Sequence, residues 1–368
     1  MIKISGRGCA ATGNKRARTA NSEADVHVIN PLVDQRWDAL IAQHPQASPF
    51  HQPGWLRALQ RTYGYEPLVL TGAAPGEEMK NGMPFCRISS WITGPRAVSL
   101  PFADHCEPLV SSEAERIVFM TWLQAEGTRQ RWKYVEVRPL RLFQDPVPGW
   151  WPQHSYCFHE LDLGPKLEML FCGMHRDCIR RKVRRAGREG ITYEVGRSLE
   201  LLDAFYRLLL ITRKRLRILP QPRSWFRNLL ECMGENLHIR VARKDGRPIA
   251  SILTLKNRRS VIYKYGCSDE KFHKLGGMPF LFWKLITESK AEGAETIDFG
   301  RSGLENGGLI RFKSELGTGP RNLIYYRSPG NENKTTEARH SKSVSRVISM
   351  LPDGISRAAG RILYRHMG

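Results

Sequence analysis

The stretch that decides the fold is TIDFGRSGLENGGLIRFKSELG, residues 296–317. It begins as a strand and ends in DFGRS at residues 298–302, where an apolar start gives way to glycine and charged residues. A glycine-containing loop follows, and the pair Phe-Lys at residues 312–313 precedes the next glycine. The stretch therefore predicts charged side chains at the end of a strand, with a lysine one loop further along the chain.

The residues before this stretch alternate between apolar and polar in three short segments. These segments are His238–Arg243, Ile249–Leu255 and Val261–Tyr265, and they predict an antiparallel meander. A glycine-containing loop and a helix with one apolar face, ended by Gly293, lead to the strand at Thr296. Three strands, a loop, a helix and a strand form the core order of the acetyltransferase fold.

The first half of the chain shows a mixed order of helices and strands. Pro53 begins a predicted amphipathic helix that reaches Tyr63, and strand-like and helical segments follow it. A length of 368 residues fits two domains. The predicted class is α/β (α+β), with two tandem acetyltransferase (GNAT)-like domains built on mixed, largely antiparallel central sheets. The predicted divisions are a basic leader at 1–24, a first domain at 25–165, a second domain at 166–329 and a basic amphipathic tail at 330–368.

Positive charge dominates the composition. The formal net charge is +21, and such a field attracts tRNA, nucleotide-linked precursors, coenzyme A and anionic lipid alike. Residues 176–189 hold seven basic and two acidic residues. Arginine forks match phosphate oxygens, so this segment is a candidate contact with substrate phosphates, and the alternative is a solvated basic helix face. The candidate residues are Arg180, Arg181, Arg184 and Arg185.

Cysteine spacing and apolar runs bear on the compartment. The eight cysteines form no CxxC pair and no disulfide-framework spacing, which indicates reduced thiols. No run approaches the ~20 apolar residues that span a bilayer, and residues 1–24 lack the apolar core of a secretion signal. We expect a cytoplasmic protein whose membrane contact, if any, is peripheral at the inner face. No metal-ligand motif is present, so no metal site is predicted.

The chain resembles the Fem-type peptidyltransferases and the Fem-like proteins of exosortase and exopolysaccharide gene neighbourhoods, within the acetyltransferase superfamily. The shared features are the Tyr-Gly pair at 265–266, the DFGRS strand end and the Phe-Lys pair at 312–313. The likeness follows domain order over residues 49–327. It implies an enzyme that takes an acyl or aminoacyl group from acyl-CoA or aminoacyl-tRNA. The implied acceptor is an amine of a cell-envelope or exopolysaccharide precursor.

The resemblance places Phe312 and Lys313 at the site of transfer. Aminolysis of an ester or thioester builds negative charge on the carbonyl oxygen, and the Lys313 ammonium is a suitable partner for that charge. Asp298 and Arg301 are the other catalytic candidates, which could pair with each other, anchor the loop or contact the acceptor. The Asp298 carboxylate also has the chemistry of a general base for the amine proton.

A second candidate ligand site is Gly276-Gly277, with Lys274 just before it. Backbone N–H groups at the start of the following helix suit a phosphate or pyrophosphate, and the alternative is a plain strand-to-helix turn. His273 stands where the coenzyme A signature carries an arginine or glutamine. The donor therefore stays open between acyl-CoA and aminoacyl-tRNA.

The tail carries two apolar stripes separated by Pro352, with basic residues opposite them. A helix of this kind docks on the protein's own body or lies on an anionic membrane. Two other functions fit the same composition. One is a non-catalytic scaffold of this fold that binds RNA or a membrane surface, and the other is a small-molecule acetyltransferase unrelated to the envelope.

Overall fold

A computed structural model describes residues 25–329 and 353–368. The predicted leader at 1–24 and the first apolar stripe of the tail lie outside the described residues. The first half alternates short strands with helices. Its elements are β1 (His27–Ile29), α1 (Gln35–Gln43), α2 (Pro53–Tyr63), β2 (Glu66–Thr71), β3 (Met83–Ile88), β4 (Arg96–Val98), α3 (Glu113–Arg129), β5 (Val135–Val137) and β6 (Trp151–Asp162).

The second half begins with helices, continues as a meander and closes with a helix that follows Pro352. A π-helical turn (Arg176–Arg180) precedes α5, and a 3-10 turn (Glu270–Leu275) precedes α8. Its elements are α4 (Leu167–Gly173), α5 (Arg181–Arg188), β7 (Thr192–Gly196), α6 (Leu199–Leu216), α7 (Arg223–Met233), β8 (Leu237–Lys244), β9 (Arg247–Lys256), β10 (Ser260–Ser268), α8 (Gly277–Ala291), β11 (Thr296–Gly303), α9 (Gly307–Ser314), β12 (Gly319–Ser328) and α10 (Asp353–Met367).

The twelve strands of residues 25–329 join one sheet in the order β1-β2-β3-β4-β5-β12-β6-β11-β10-β9-β8-β7. The pairs β4–β5 and β10–β11 are parallel, and the other paired strands are antiparallel. The predicted class is thus confirmed, and the strands of both halves form a continuous sheet. Strands of the two halves alternate at the centre of this sheet. There β12 of the second half pairs with β5 of the first half, and β6 of the first half pairs with β11 of the second.

Helices α2 and α7 join the two halves on one face of the sheet. Trp55 of α2 and Trp225 of α7 are fully buried, and their rings meet edge to face at 5.2 Å between centroids. Gly54 lets the helices approach closely, because a Cβ at this position would lie 2.5 Å from the carbonyl oxygen of Cys232. Burial of such large aromatic side chains dominates the energy of a packed contact, so this helix pair stabilises the union of the halves.

The C-terminal helix α10 docks on the first half of the protein. Arg96 is buried and donates to the carbonyl oxygens of His366 and Gly368 at 2.7–2.9 Å. The Tyr65 hydroxyl donates to the carbonyl oxygen of Tyr364 at 2.9 Å. The end of α10 therefore docks, with Tyr364 and His366 buried, but the predicted apolar stripe stays largely exposed, with Ile355, Ile362 and Leu363 at 53%, 59% and 38%. Among the described helices, none has the length and apolar character needed to cross a bilayer.

Gly54→Ala is expected to lower the free energy of unfolding by about 1–3 kcal/mol, because the new methyl group overpacks the α2–α7 contact. Gly187→Ala is the matched control: this helical glycine has nothing within 4 Å of an added Cβ. The control should be neutral or stabilising by about 0.5–1 kcal/mol. Chemical denaturation of both variants measures the difference, and equal stability of the two would contradict the close approach.

Candidate functional site

Strands β10 and β11 run parallel and then separate at the centre of the sheet. They pair over three positions, the last of which joins Ile262 to Asp298. Each strand is irregular just beyond that point, between Tyr263 and Tyr265 in β10 and between Asp298 and Arg301 in β11. A bulge bends its strand and re-aims its side chains. The separation leaves a gap that side chains from neighbouring segments can enter.

Asp104, in the loop after β4, enters this gap. Its Oδ2 accepts a hydrogen bond from Lys264 Nζ at 2.8 Å, and its Oδ1 lies 3.6 Å from Arg301 Nε. Gly300 has φ +70°, and a Cβ there would lie 3.1 Å from Asp104 Oδ2, so the glycine leaves room for the carboxylate. Burial alone raises the pKa of Asp104, but the charges of Lys264 and Arg301 hold it below its ordinary value.

Lys313 reaches the same point from α9 on the other side of the gap. Its side chain is 3% exposed, and its Nζ donates to the carbonyl oxygens of Gly300 at 2.9 Å and Arg301 at 3.1 Å. Burial lowers the pKa of Lys313 to about 8, and the nearby Asp104 and Asp298 carboxylates limit that fall. The bulge of β11 therefore holds a buried lysine whose ordinary pKa is 10.5.

The two other catalytic candidates from the sequence have separate partners. Arg301 pairs with Asp104, and its guanidinium lies over the Tyr156 ring at 4.3 Å. Asp298 pairs with a histidine, so the two residues of the DFGRS motif meet different groups rather than each other. Phe312 packs against Phe282 of α8 at 5.7 Å between ring centroids. It therefore anchors α9, which carries Lys313.

His105 is a site residue that the sequence analysis missed, as are Asp104 and Lys264. Its Nε2 lies 2.7 Å from Asp298 Oδ2, and both side chains are about 5% exposed or less. Asp298 Oδ1 accepts a hydrogen bond from the backbone N–H of Gly300 at 2.5 Å. The rings of Phe50 and Phe158 meet His105 edge to face at 5.5 and 5.7 Å. The available signal was a polar Asp-His pair after an apolar segment, and 193 residues separate His105 from its partner.

A cavity of about 1130 Å³ opens beside the His105–Asp298 pair. It extends between the start of α2, the turn between β9 and β10 and the loop after β5. Both charge signs are present in its lining, with Arg57, Arg141, Arg258 and Arg259 against Asp38, Glu107, Glu160, Glu295 and Asp298. Ligand pockets typically measure about 300–1,000 Å³, so this cavity has room for a substrate larger than a simple amine.

Gly276 and Gly277 lie where the 3-10 turn meets α8, as predicted. Gly276 has φ +82°, and a Cβ there would lie 2.5 Å from the carbonyl oxygen of Lys182 in α5. A Cβ on Gly277 would lie 3.2 Å from side-chain atoms of Ala250 and Ile249. Close packing therefore accounts for both glycines. Lys274 is exposed, and the assignment of these residues to a phosphate site stays a prediction.

The predicted arginine cluster lies on the π-helical turn and α5, which pack against the 3-10 turn and α8. Arg180 is half-buried, whereas Arg181, Arg184 and Arg185 are exposed. Two of these residues form exposed ion pairs within the segment, Arg181 with Asp177 at 3.1 Å and Arg185 with Glu189 at 3.2 Å. Exposed ion pairs of this kind contribute little to the free energy of folding, so these guanidinium groups remain available to a polyanion.

One cluster of metal-ligating residue types occurs within the described ranges: His175, Cys178 and Glu315. His175 Nδ1 already accepts hydrogen bonds from the backbone N–H groups of Asp177 and Cys178, both at 3.2 Å. A neutral imidazole that accepts at Nδ1 carries its proton on Nε2. The ring therefore offers no free lone pair to a metal ion, and His175 serves as the N-cap of the π-helical turn.

Comparison with known proteins finds a family match in the second half of the chain. A family model described as "Acetyltransferase (GNAT) domain" matches residues 174–314. FemX has a similar structure, with 13% identity, a TM-score of 0.66 and coverage of 82% of this chain and 96% of FemX. A tandem GNAT protein from the clavulanic acid biosynthesis pathway is 13% identical, with a TM-score of 0.53 and coverage of 84% and 100%.

A third similar structure is the C-terminal domain of a candidate lysylphosphatidylglycerol synthetase from Agrobacterium fabrum. It is 14% identical, with a TM-score of 0.53 and coverage of 85% of this chain and 94% of that domain. No curated protein matches the chain. The domain match confirms that the second half contains an acetyltransferase (GNAT) domain and bears out the predicted acyltransferase class. The similarity to FemX and to the tandem protein confirms the Fem-like, tandem fold.

The lowered pKa of Lys313 predicts a specific pH dependence of stability. Between about pH 8 and 10.5 the folded protein has released the Lys313 proton while the unfolded chain still holds it. The free energy of unfolding should therefore rise with pH across this window, by on the order of 3 kcal/mol, and this gain should be absent from Lys313→Met.

Urea denaturation across that window compares the wild type with Lys313→Met. Lys290→Met is the matched control, because Lys290 Nζ also donates to two backbone carbonyl oxygens, those of Leu163 and Gly164. Parallel curves for the wild type and Lys313→Met would contradict a lowered pKa at Lys313.

Proposed function

We propose that this acyltransferase moves an aminoacyl group from an activated ester to an amine, at the point where β10 and β11 separate. The observation that carries the proposal is Lys313, a buried lysine fixed on the carbonyl oxygens of Gly300 and Arg301. Enzymes of acyl transfer stabilise the oxyanion with preorganised hydrogen-bond donors or positive groups. A buried ammonium in a gap of the sheet is a group of this kind.

The geometry of Lys313 leaves it one donor for the substrate. A lysine ammonium has three N–H groups, and two of them point to the carbonyl oxygens of Gly300 and Arg301. The third stabilises the carbonyl oxygen of the donor as it gains charge. Asp298 and Arg301 hold the bulge in place through their own partners, and Phe312 fixes α9. In this proposal Lys313 is the catalytic residue and the other three are positioning residues.

The proposed donor is aminoacyl-tRNA rather than acyl-CoA. Its support is the exposed arginine face of α5, which packs beside the turn that carries Lys274 and the start of α8. RNA binding draws on contacts of arginine and lysine with phosphates. The glycines that suggested a pyrophosphate loop are accounted for by packing against α5 and β9, which weakens the basis for coenzyme A. An aminoacyl-tRNA donor would place the reaction in the cytoplasm.

The proposed acceptor is an amine of a cell-envelope or exopolysaccharide precursor bound in the cavity beside His105 and Asp298. The cavity volume and its mixed arginine and carboxylate lining suit a large polar substrate that carries both charge signs. The exposed apolar residues and arginines of α10 support peripheral contact with an anionic membrane at its inner face, where such precursors are consumed. A non-catalytic scaffold is the alternative that the next experiment tests.

Lys313→Met is expected to lower kcat for transfer about 10²–10³-fold, because it removes one donor to the developing oxyanion. The affinity for the donor should stay unchanged. The assay follows transfer from a labelled pool of mixed aminoacyl-tRNA, and separately from acetyl-CoA, to a panel that contains a lysine peptide, an amino sugar and a nucleotide-linked muramyl peptide. Lys290→Met serves as the control with retained activity.

Two results of this assay would overturn the proposal. Full activity of Lys313→Met would remove Lys313 from the transfer site. Binding of tRNA without transfer to any amine, by the wild type itself, would favour the scaffold. Transfer from acetyl-CoA alone would retain the acyltransferase but replace the proposed donor.

The triple variant Arg181→Gln, Arg184→Gln and Arg185→Gln is expected to weaken tRNA binding and its salt dependence together. Loss of about three phosphate contacts should reduce the slope of log K against log salt by about 2–3. The control changes three exposed basic residues at the end of α3 to glutamine, namely Arg129, Arg131 and Lys133. Equal salt slopes in the two triple variants, measured by equilibrium titration, would show that tRNA binds elsewhere.

A further inference from the structure

His105 and Asp298 form a buried pair with one unused ring nitrogen. His105 Nε2 lies 2.7 Å from Asp298 Oδ2, whereas His105 Nδ1 is buried and has no hydrogen-bond partner among the described residues. Buried polar atoms in folded proteins nearly always have a partner. The unpartnered nitrogen belongs to a ring that lines the large cavity, so a bound molecule is the natural source of its missing partner.

The carboxylate decides which nitrogen carries the proton. Asp298 Oδ1 accepts from the Gly300 N–H, and an ionised Asp298 Oδ2 can only accept from His105. His105 Nε2 must therefore donate, which leaves the neutral ring with a lone pair on Nδ1. The edge-to-face contacts with Phe50 and Phe158 hold the ring in this orientation. The pair thus has the arrangement of a base and its orienting carboxylate.

Two other carboxylates that line the cavity, those of Glu160 and Glu107, already accept hydrogen bonds. Glu160 accepts from Arg321 at 3.0 Å, and Glu107 accepts from the backbone N–H groups of Leu140 and Arg141. Asp298 uses one oxygen on the backbone and the other on His105. Among the side-chain polar atoms of these groups, His105 Nδ1 is the fully buried one without a hydrogen-bond partner in the described residues.

We infer that His105 is the general base that takes the proton from the acceptor, with Asp298 as its positioning residue. This inference rests on the proposed function. The acceptor nitrogen attacks the carbonyl carbon of the donor ester, a C–N bond forms and the N–H proton passes to His105 Nδ1. The tetrahedral intermediate then releases the ribose oxygen as its C–O bond breaks, and the imidazolium returns the proton to that oxygen. Electrons and protons balance without a further reactant.

Several charged or titratable groups face His105. Asp298 comes from β11 and Glu160 from β6, while Asp104 and Glu107 flank it in its own loop. His51, from the segment before α2, lies close enough to interact electrostatically. A general base at His105 predicts a low-pH limb in the kcat/KM profile, because the reaction needs the unprotonated ring.

His105→Gln separates a base from a structural hydrogen bond. The glutamine amide can still donate to Asp298 from the place of Nε2, but it offers no basic nitrogen. We expect kcat to fall about 10²–10⁴-fold with unchanged donor affinity, and the low-pH limb to disappear. His105→Asn places an amide at the level of Nδ1 and should be equally inactive. His238→Gln, at a half-buried histidine on β8, is the matched control with full activity.

A second measurement does not depend on turnover. Side-chain ¹⁵N NMR of the full chain, assigned with His105→Gln, should show that the neutral ring of His105 carries its proton on Nε2 and leaves Nδ1 unprotonated. A protonated Nδ1 would overturn the inference, as would full activity of His105→Gln in an active wild-type background. Absence of transfer by the wild type, with the predicted tautomer present, would instead refute the proposed function and with it the role of His105 in transfer.

Discussion

The centre of the molecule depends on one largely buried carboxylate, that of Asp104, whose side chain is 14% exposed and is held in the gap between β10 and β11. An ionised carboxylate in a protein interior is stable only when opposite charges and hydrogen-bond donors surround it. Lys264 and Arg301 supply those charges, and Gly300 leaves the room for them to meet. The same bulge exposes the carbonyl oxygens that fix Lys313. The site and the irregularity of the sheet are therefore one arrangement.

The two halves of the chain each contribute part of this arrangement. Asp104 and His105 come from the loop after β4, whereas Lys264, Asp298 and Lys313 belong to the second half, which matches the acetyltransferase family model. The continuous sheet fixes the distance between these groups, because β6 and β12 pair across the boundary of the halves. A second half by itself would lack the histidine and the carboxylate that the gap contains. This interdependence gives a physical reason for the tandem architecture.

Local periodicity was enough to predict α2 and the order from β8 to β11, because each has a clear apolar pattern and a glycine or proline at its boundary. Pairings across the chain were not predictable in this way. Asp104 and His105 find their partners 160 and 193 residues away, and no spacing in the sequence records that distance. At Gly276 the sequence pattern suggests a binding site, whereas the structure shows close packing. A glycine at a helix entrance suggests a phosphate site, yet the backbone of Lys182 occupies the space that a side chain would need.

In the proposed mechanism, acyl transfer takes place between Lys313 and the cavity beside His105. The most direct measurement is a crystal structure of the protein with a stable 3′-aminoacylamido-RNA minihelix that mimics the ester donor. We expect the donor carbonyl oxygen within about 3–3.5 Å of Lys313 Nζ, with the RNA phosphates against α5. A carbonyl group bound on another surface, with Lys313 still enclosed on all sides, would rule out this site of transfer.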